Sequence, residues 1–524
     1  MLAAASSVRA FDPHLWRFMR FTSLIVELIR ARPRLVFWIV VLAQATLWLL
    51  VPLMFYGSPP GDLATVLAYG HQYQVGSELG PPLAFWLADA AFRLAGGHVF
   101  GVYLLAQLCF VATFAALYGL AARIVGEQHA VIAVLLTQTV TAFSFPGLEF
   151  GPLVLACPLW ALILLHAWQV IGQGSRNAWF ALSIEAGLLL LTTYAAPGLL
   201  LLLAVFALLT ARGRRTLMSF DPLFALLVIV VLVFPYLVWL LRAEALTLPK
   251  WTLAGDAAAL ARAWGWLLVG LVIALAGIVL LVILNSALMH RTILRSRETV
   301  PTVFRSPVDA LAWQFVAFFA VAPALLGSIV AALFGFAQVA GGAGIALLLS
   351  GLAVVVASGD MIHLRRQRIL RTAWAAAIAA PALMIAAATL VQPWLGGNEV
   401  ATTLPANKIA RFFGDSFQRR TNRPLPVVAG DTQLAMLIAM GAARPQPLLT
   451  PRPQHGPWPT PANFNELGGV VVWRAADTAG TPPADLVKQF PGLVPEVPQV
   501  FDRVIDGRQA PLRIGWAIVR PRTP

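Results

Sequence analysis

Apolar runs with almost no charge, separated by short polar or basic stretches, fill residues 34–395. Runs such as "LVFWIVVLAQATLWLLVPLMF" and "GLLLLLAVFALLTA" show no amphipathic alternation. Each approaches or exceeds the roughly 20 residues that cross about 30 Å of hydrocarbon. The pattern predicts about eleven membrane-spanning helices, near 34–56, 99–122, 129–145, 152–172, 178–192, 197–211, 222–241, 263–285, 311–334, 342–358 and 372–395. Residues 1–33 include "FMRFTSLIVELIRARPR", which reads as an amphipathic helix lying on the inner membrane surface with its arginines toward headgroups.

After residue 396 the pattern changes. "NKIARFFGDSFQRR" has helical amphipathicity, and "PLPVVAGD" reads as a strand ending in a turn. "TQLAMLIAMGAA" predicts a helix, "GGVVVWRA" a strand, "PADLVKQF" a short helix and "LRIGWAIVRP" a last strand. Residues 396–524 are therefore expected to form a small α/β domain, with the Pro-rich 445–461 stretch as a loop on it.

Composition settles the class. Of 524 residues, 59% are hydrophobic and 11% charged, with a mean hydropathy of +0.78. Soluble domains carry about 25% charged residues, so lipid must solvate part of this surface. The two cysteines, Cys109 and Cys157, lie inside apolar runs and read as small buried hydrophobes. No cleavable signal peptide is evident, because the first apolar run is too long and lacks a small-residue cleavage site.

Charge then orients the spans. With a cytoplasmic N-terminus, about nineteen arginines, from Arg9 to Arg371, fall in loops on one side, against about four Lys or Arg in the short loops opposite. This bias explains much of the net charge of +14 without nucleic acid. It places residues 57–98, Glu149, Tyr194, Arg242, Glu244, Lys250, Asp256 and the C-terminal domain together on the outer side, periplasmic in a bacterium whose inner membrane holds the protein.

The outer segment "YGSPPGDLATVLAYGHQYQVGSELGPPLAFW" is the candidate site. Asp62 sits just past the first span, where apolar surroundings favour a proton-accepting carboxylate. Its alternative role is an N-cap for "LATVLAYGHQY". Glu78 and Glu149 are further acidic candidates, with solvated loop acids as the alternative. From Pro81 and Pro82 onward, "PPLAFWLADAAFRLAG" predicts a surface helix with Phe85, Trp86, Leu87 and Phe92 partly in the lipid interface.

The first span, the Asp opening a long outer loop and "PPLAFW" together resemble the polyprenyl-phosphate-sugar-dependent GT-C glycosyltransferases. The likeness is to the family 39 type, with lipid A aminoarabinose transferases and rhizobial galacturonic acid transferases as relatives. It runs on through "EFGPLVLACPLWAL", "GLLLLTTYAAPGLLLL" and "FDPLFALLVIVVLVFPYLVWLL". The resemblance implies a polytopic fold and transfer of a hexosyl or uronosyl group from a polyprenyl-phosphate donor to a lipid A, polysaccharide or similar acceptor. It implies Asp62 as the catalytic carboxylate, Glu149 as the second acidic loop, and Pro81, Pro82 and Trp86 as a lid. Arg242, Tyr194 and Tyr236 are the expected phosphate or aromatic contacts, and neither a metal nor another cofactor is called for.

The chain departs from the family at Leu63, where an acid is common, and at Gly80, where Lys or Gln is common. It departs again at Thr193, in place of Lys, and at Tyr236, in place of His. Two other classes therefore stay open. One is a catalytically degenerate relative serving as an envelope binding partner. The other is a transporter, for which His166 and Glu185, the nearest polar residues to the spans' interior, would be the candidate groups.

Overall fold

The protein is described here by a computed structural model covering residues 27–145, 149–242, 255–286, 302–305, 307–363, 367–395, 401–451, 453, 456–505, 507–508 and 510–521. Most of the expected N-terminal amphipathic segment, and Glu244 and Lys250, lie outside the described residues.

The first apolar run forms α1 (Pro33–Phe55), opened by a proline where a missing N–H costs nothing. The outer loop folds into α2 (Leu63–His71) and α3 (Leu83–Leu94). The chain then returns through α4 (Phe100–Val125) and turns at Gly126, whose φ of 81° suits glycine, into α5 (Glu127–Thr137) and the single turn α6 (Thr141–Ser144). Next come α7 (Pro152–Ile171), α8 (Ala178–Leu190), α9 (Ala196–Leu209) and α10 (Ala211–Leu217), the last bent 109° from α9. They are followed by α11 (Asp221–Arg242), α12 (Ala257–Ala274) and α13 (Ala276–Asn285). Strand β1 (Thr302–Phe304) precedes α14 (Ala310–Phe334), α15 (Gly342–Ala346) and α16 (Ser350–Ala357). Strand β2 (Met361–His363) pairs antiparallel with β1 and leads into α17 (Gln367–Leu395).

Seven of the described helices, α1, α4, α7, α11, α12, α14 and α17, are long and apolar enough to cross a membrane, and the bent α9–α10 pair makes at most an eighth. All eleven expected spans fall on helix, but those at 129–145, 263–285 and 342–358 are broken and that at 178–192 is short. The break after Thr137 has a local cause. The Thr139 hydroxyl donates to the Leu136 carbonyl at 2.8 Å, competing with the helical ladder. Gly277 and Gly351 press so closely on Thr139 and Thr137 that a side chain on either would collide. Helix α7 lies at the centre, 83% of its apolar window buried, whereas α11 and α12, at 17% and 11%, turn most of their apolar surface outward. Within the bundle, Glu185 of α8 meets His166 of α7 at 2.8 Å, so each satisfies the other's polar group.

Four of the ion pairs gather at one end of the bundle. Arg34 meets Glu127 at 2.5 Å, Arg176 meets Asp221 at 2.9 Å, Arg212 meets Asp309 at 3.3 Å and Arg305 meets Asp360 at 3.5 Å. The opposite end carries α2, α3, Glu149, the Tyr194 turn and the C-terminal segment.

That segment comprises α18 (Ala406–Thr421), β3 (Val427–Gly430), α19 (Thr432–Ala439), β4 (Gln446–Pro447), α20 (Pro461–Leu467), β5 (Gly469–Arg474), α21 (Ala484–Gln489), β6 (Gln499–Phe501) and β7 (Leu512–Val519). The sheet order is β4-β3-β5-β7-β6, with β3 parallel to β4 and β5, and β7 antiparallel to β5 and β6. Alternation along the strands divides the core. Val428, Val470, Val472 and Ile514 pack with Phe413 and Phe417 of α18, while Val471 and Trp473 pack with Phe464 and Phe490 on the other face. Strand β4 lies in the Pro-rich stretch read as a loop, and helix α20, which begins at that stretch's last residue, is a further element not expected from the sequence.

Candidate functional site

Asp62 occupies the N-cap position of α2, yet its side chain accepts no capping hydrogen bond. Its φ of −88° and ψ of 11° depart from the extended backbone typical of a capping residue. The cap expected as an alternative role is therefore not formed, and the carboxylate is exposed. Gly61, at φ 51°, turns the chain directly before it.

The structure brings Glu149 to the same spot. Its carboxyl group rests on Gly61 so closely that a Cβ there would collide with it. Loss of hydration, followed by the Asp62 carboxylate, holds Glu149 above the usual carboxylate range, offset in part by the Asp62 backbone N–H that it accepts. Tyr56, the residue after α1, completes the group. Burial first and Glu149 second raise its phenol. Two carboxylates and a phenol from two separated stretches thus face one another at the end of the bundle opposite the Arg34–Glu127 and Arg176–Asp221 pairs.

Glu78 is placed elsewhere. It stands exposed on a tight turn in which Ser77 and Gly80 exchange backbone hydrogen bonds of 3.3 and 3.2 Å. Its charge acts on Tyr69, which burial and Glu78 together push up to about 12. This turn explains one departure from the family pattern: Gly80 has φ 147°, which a Lys or Gln would adopt only with strain.

Pro82 stands at the start of α3, as the double proline predicts, and the Trp86 indole donates to the Gln74 carbonyl at 2.9 Å, pinning the preceding loop. The expected lipid exposure of this helix needs correction. Phe85 and Phe92 are 4% and 3% exposed and pack into the protein core, because α3 lies between α2 and α4.

Tyr194 and Tyr236 do come together. They line a cavity of about 430 Å³ whose walls include Val233, Leu237, Pro323 and Leu326, almost wholly apolar. Tyr236 is 4% exposed, stacks on Trp239 with ring centroids 5.9 Å apart, and buries its hydroxyl beside that of Tyr194. The outer loop reaches this cavity's rim. A Cβ at Gly80 would stand 3.9 Å from Tyr194, Gly76 packs directly on Trp239, and Leu83 N–H donates to the Leu191 carbonyl at 3.0 Å. The rim also leads back toward Glu149, since Gly341 packs on Ala195 and Gly342 on Leu153. Arg242 is exposed in the last turn of α11, beyond Trp239. Asp256 is used locally, accepting the Ala259 N–H at 2.9 Å to cap α12.

Sequence reasoning missed a second polar cluster. The Asp89 carboxylate of α3 is fully buried, with Arg93 Nε at 2.6 Å, Arg444 of the C-terminal segment in direct contact and His71 Nδ1 at 3.9 Å. Arg93 also donates to His71 Nδ1 at 3.1 Å. Burial first, then Arg444, lowers the His71 pKa. The i,i+4 spacing of Asp89 and Arg93 was legible. Arg444 was not, because it arrives from 355 residues away.

Residues 80–239 match the model of a family described as dolichyl-phosphate-mannose-protein mannosyltransferase. No curated protein matches the sequence. Among solved structures, ArnT from Cupriavidus metallidurans bound to undecaprenyl phosphate superposes with a TM-score of 0.59 at 14% identity, over 91% of this chain and 98% of that one. The same protein in the apo state gives 0.53 at 14% identity, over 92% and 97%. The chain therefore has the GT-C fold of ArnT across nearly its whole length, and the resemblance drawn from "PPLAFW" and the spans after it holds.

Proposed function

We propose that this protein is an integral membrane glycosyltransferase that moves a sugar from a polyprenyl-phosphate donor to a hydroxyl of a lipid A, polysaccharide or similar acceptor at the outer face of a bacterial inner membrane. The observation that carries the reading is the uncapped Asp62 carboxylate paired with Glu149, at the mouth of a fold shared with a protein solved with undecaprenyl phosphate.

The chemistry needs a base, a place for the donor and charge for the leaving phosphate. Asp62 takes the proton of the acceptor hydroxyl as its oxygen attacks the anomeric carbon. The bond from that carbon to the phosphate oxygen breaks, the configuration inverts, and polyprenyl phosphate leaves with the bonding pair. Glu149, with its raised pKa, is suited to hold a proton and hydrogen-bond the acceptor, a division of labour that two adjacent carboxylates favour. The cavity between α9, α11 and α14 suits an isoprenoid tail, being lined by Val233, Leu237, Pro323 and Leu326. Tyr194 and Tyr236 then offer hydroxyls to the phosphate, and Arg242 supplies positive charge at the outer end of α11. The C-terminal segment stands in the periplasm, with the arginine-rich loops in the cytoplasm.

Mass spectrometry of envelope lipids and polysaccharide tests this. A deletion strain is expected to lose a species heavier by one hexose- or uronic-acid-sized unit, and restoring the gene should return it. Unchanged envelopes would favour the second reading, a binding partner without catalysis, which the neutral Gly80 and Thr193 support.

A further inference from the structure

Helix α2, which carries Asp62 at its start, has nine residues. A helix this short is marginal alone and takes its position from what packs on it. The C-terminal segment grips it at both ends. Before it, the Gly57 and Ser58 N–H groups donate to the Thr402 carbonyl at 2.8 and 3.2 Å, and the Ser58 hydroxyl donates to the Ala401 carbonyl at 2.5 Å. Within it, Arg444 Nη2 donates to the Leu67 carbonyl at 3.3 Å while also contacting the fully buried Asp89 of α3. Beyond that contact, the Tyr69 ring meets Trp458 with centroids 4.6 Å apart.

Arg444 is suited to the task. Its side chain is 15% exposed, its guanidinium lies over the Phe92 ring at 4.7 Å, and its backbone is held at φ 48°, a conformation uncommon outside glycine. Both bonds leave from one nitrogen, Nη2, so a single cationic donor joins α2 to α3.

We infer that Arg444 is a positioning residue for the transfer reaction: acting through Leu67 and Asp89, it locks α2 to the C-terminal domain and thereby holds Asp62 at the site. The inference rests on the reading of Asp62 as base. Nothing in it requires Arg444 to touch substrate.

The test uses the full chain in lipid nanodiscs and in the deletion strain. Hydrogen–deuterium exchange over residues 57–71 reports the lock directly, and the envelope product reports its use. Arg444→Gln leaves Asp89 paired with Arg93, so folded protein is expected at wild-type abundance. Exchange over 57–71 should accelerate by roughly tenfold or more, and product should fall by a similar factor, since 1 Å of misplacement from a distant substitution can cost about 10²-fold. Arg444→Lys keeps a cation beside Asp89 and should recover much of the product. It also serves if the glutamine variant fails to accumulate. Unchanged exchange over 57–71 in the glutamine variant would overturn the inference. So would faster exchange with undiminished product while Asp62→Asn abolishes it. An Asp62→Asn variant that keeps the product would instead remove the reading beneath it, whatever exchange shows.

Discussion

The carboxyl group of Glu149 rests on the backbone just before Asp62, accepting the Asp62 N–H, so two acids from distant loops share one small volume. That relationship depends on Gly61. Gly61→Ala would force the Glu149 carboxyl away and would also place alanine at φ 51°. Activity is expected to fall at least as far as in Glu149→Gln, with a stability loss of about 1 kcal/mol, read as product yield against melting temperature.

Glu149 also sets a pH dependence. Its folded pKa lies above its unfolded one, so its ionisation opposes folding, and stability from this group rises as pH falls through the raised value. Thermal melting of wild type and Glu149→Gln should therefore converge on acidification, with the glutamine variant the more stable at neutral pH. The reverse order would contradict the assignment.

His71 carries the opposite sign. Its folded pKa is lowered, so the stability it contributes is full above the unfolded value and is lost as pH falls below it. The groups facing it are Asp89, Arg93 and Arg444, and the neutral ring accepts from Arg93. Lowering pH from 7.5 toward 5, about one and a half units below the ordinary histidine pKa, should reduce the protection of residues 57–71 against exchange, each rate being taken relative to that of the unfolded chain at the same pH. His71→Gln should flatten that response.

The apolar cavity predicts a separate phenotype. Leu237→Trp, filling space beside Tyr236, should raise the donor concentration needed for half-maximal transfer while leaving the Asp62 chemistry intact at saturation. Tyr236→Phe removes a buried hydroxyl that lies beside that of Tyr194. It should cost no more than about 1.5 kcal/mol of stability, and a loss of transfer with the folded protein still abundant reports contact with donor.

Much of this architecture was legible because apolar length and residue periodicity act locally along the chain. The eleven helical regions, the double proline opening α3 and the strand–helix order of the C-terminal segment all rest on such local signals. What the pattern hid was tertiary. Around the break after Thr137, Gly277 and Gly351 approach Thr139 and Thr137 closely, and hydropathy has no register for such contacts. The burial of Phe85 and Phe92 follows from α3 being sandwiched, since an amphipathic face cannot say whether protein or lipid covers it. Asp62 and Glu149 were each visible as acids on outer loops, but their meeting required the fold. Arg444 gave no signal, lying in a loop whose partners are on α2 and α3.

The central claim is that Asp62 is the chemical centre of a sugar transfer. The most direct measurement is envelope mass spectrometry of the deletion strain carrying either wild-type protein or Asp62→Asn at equal membrane abundance. The sugar-bearing species should return with wild type and stay absent with Asp62→Asn. Restoration by Asp62→Asn would contradict the claim, and would leave the protein's envelope role to binding through its C-terminal domain.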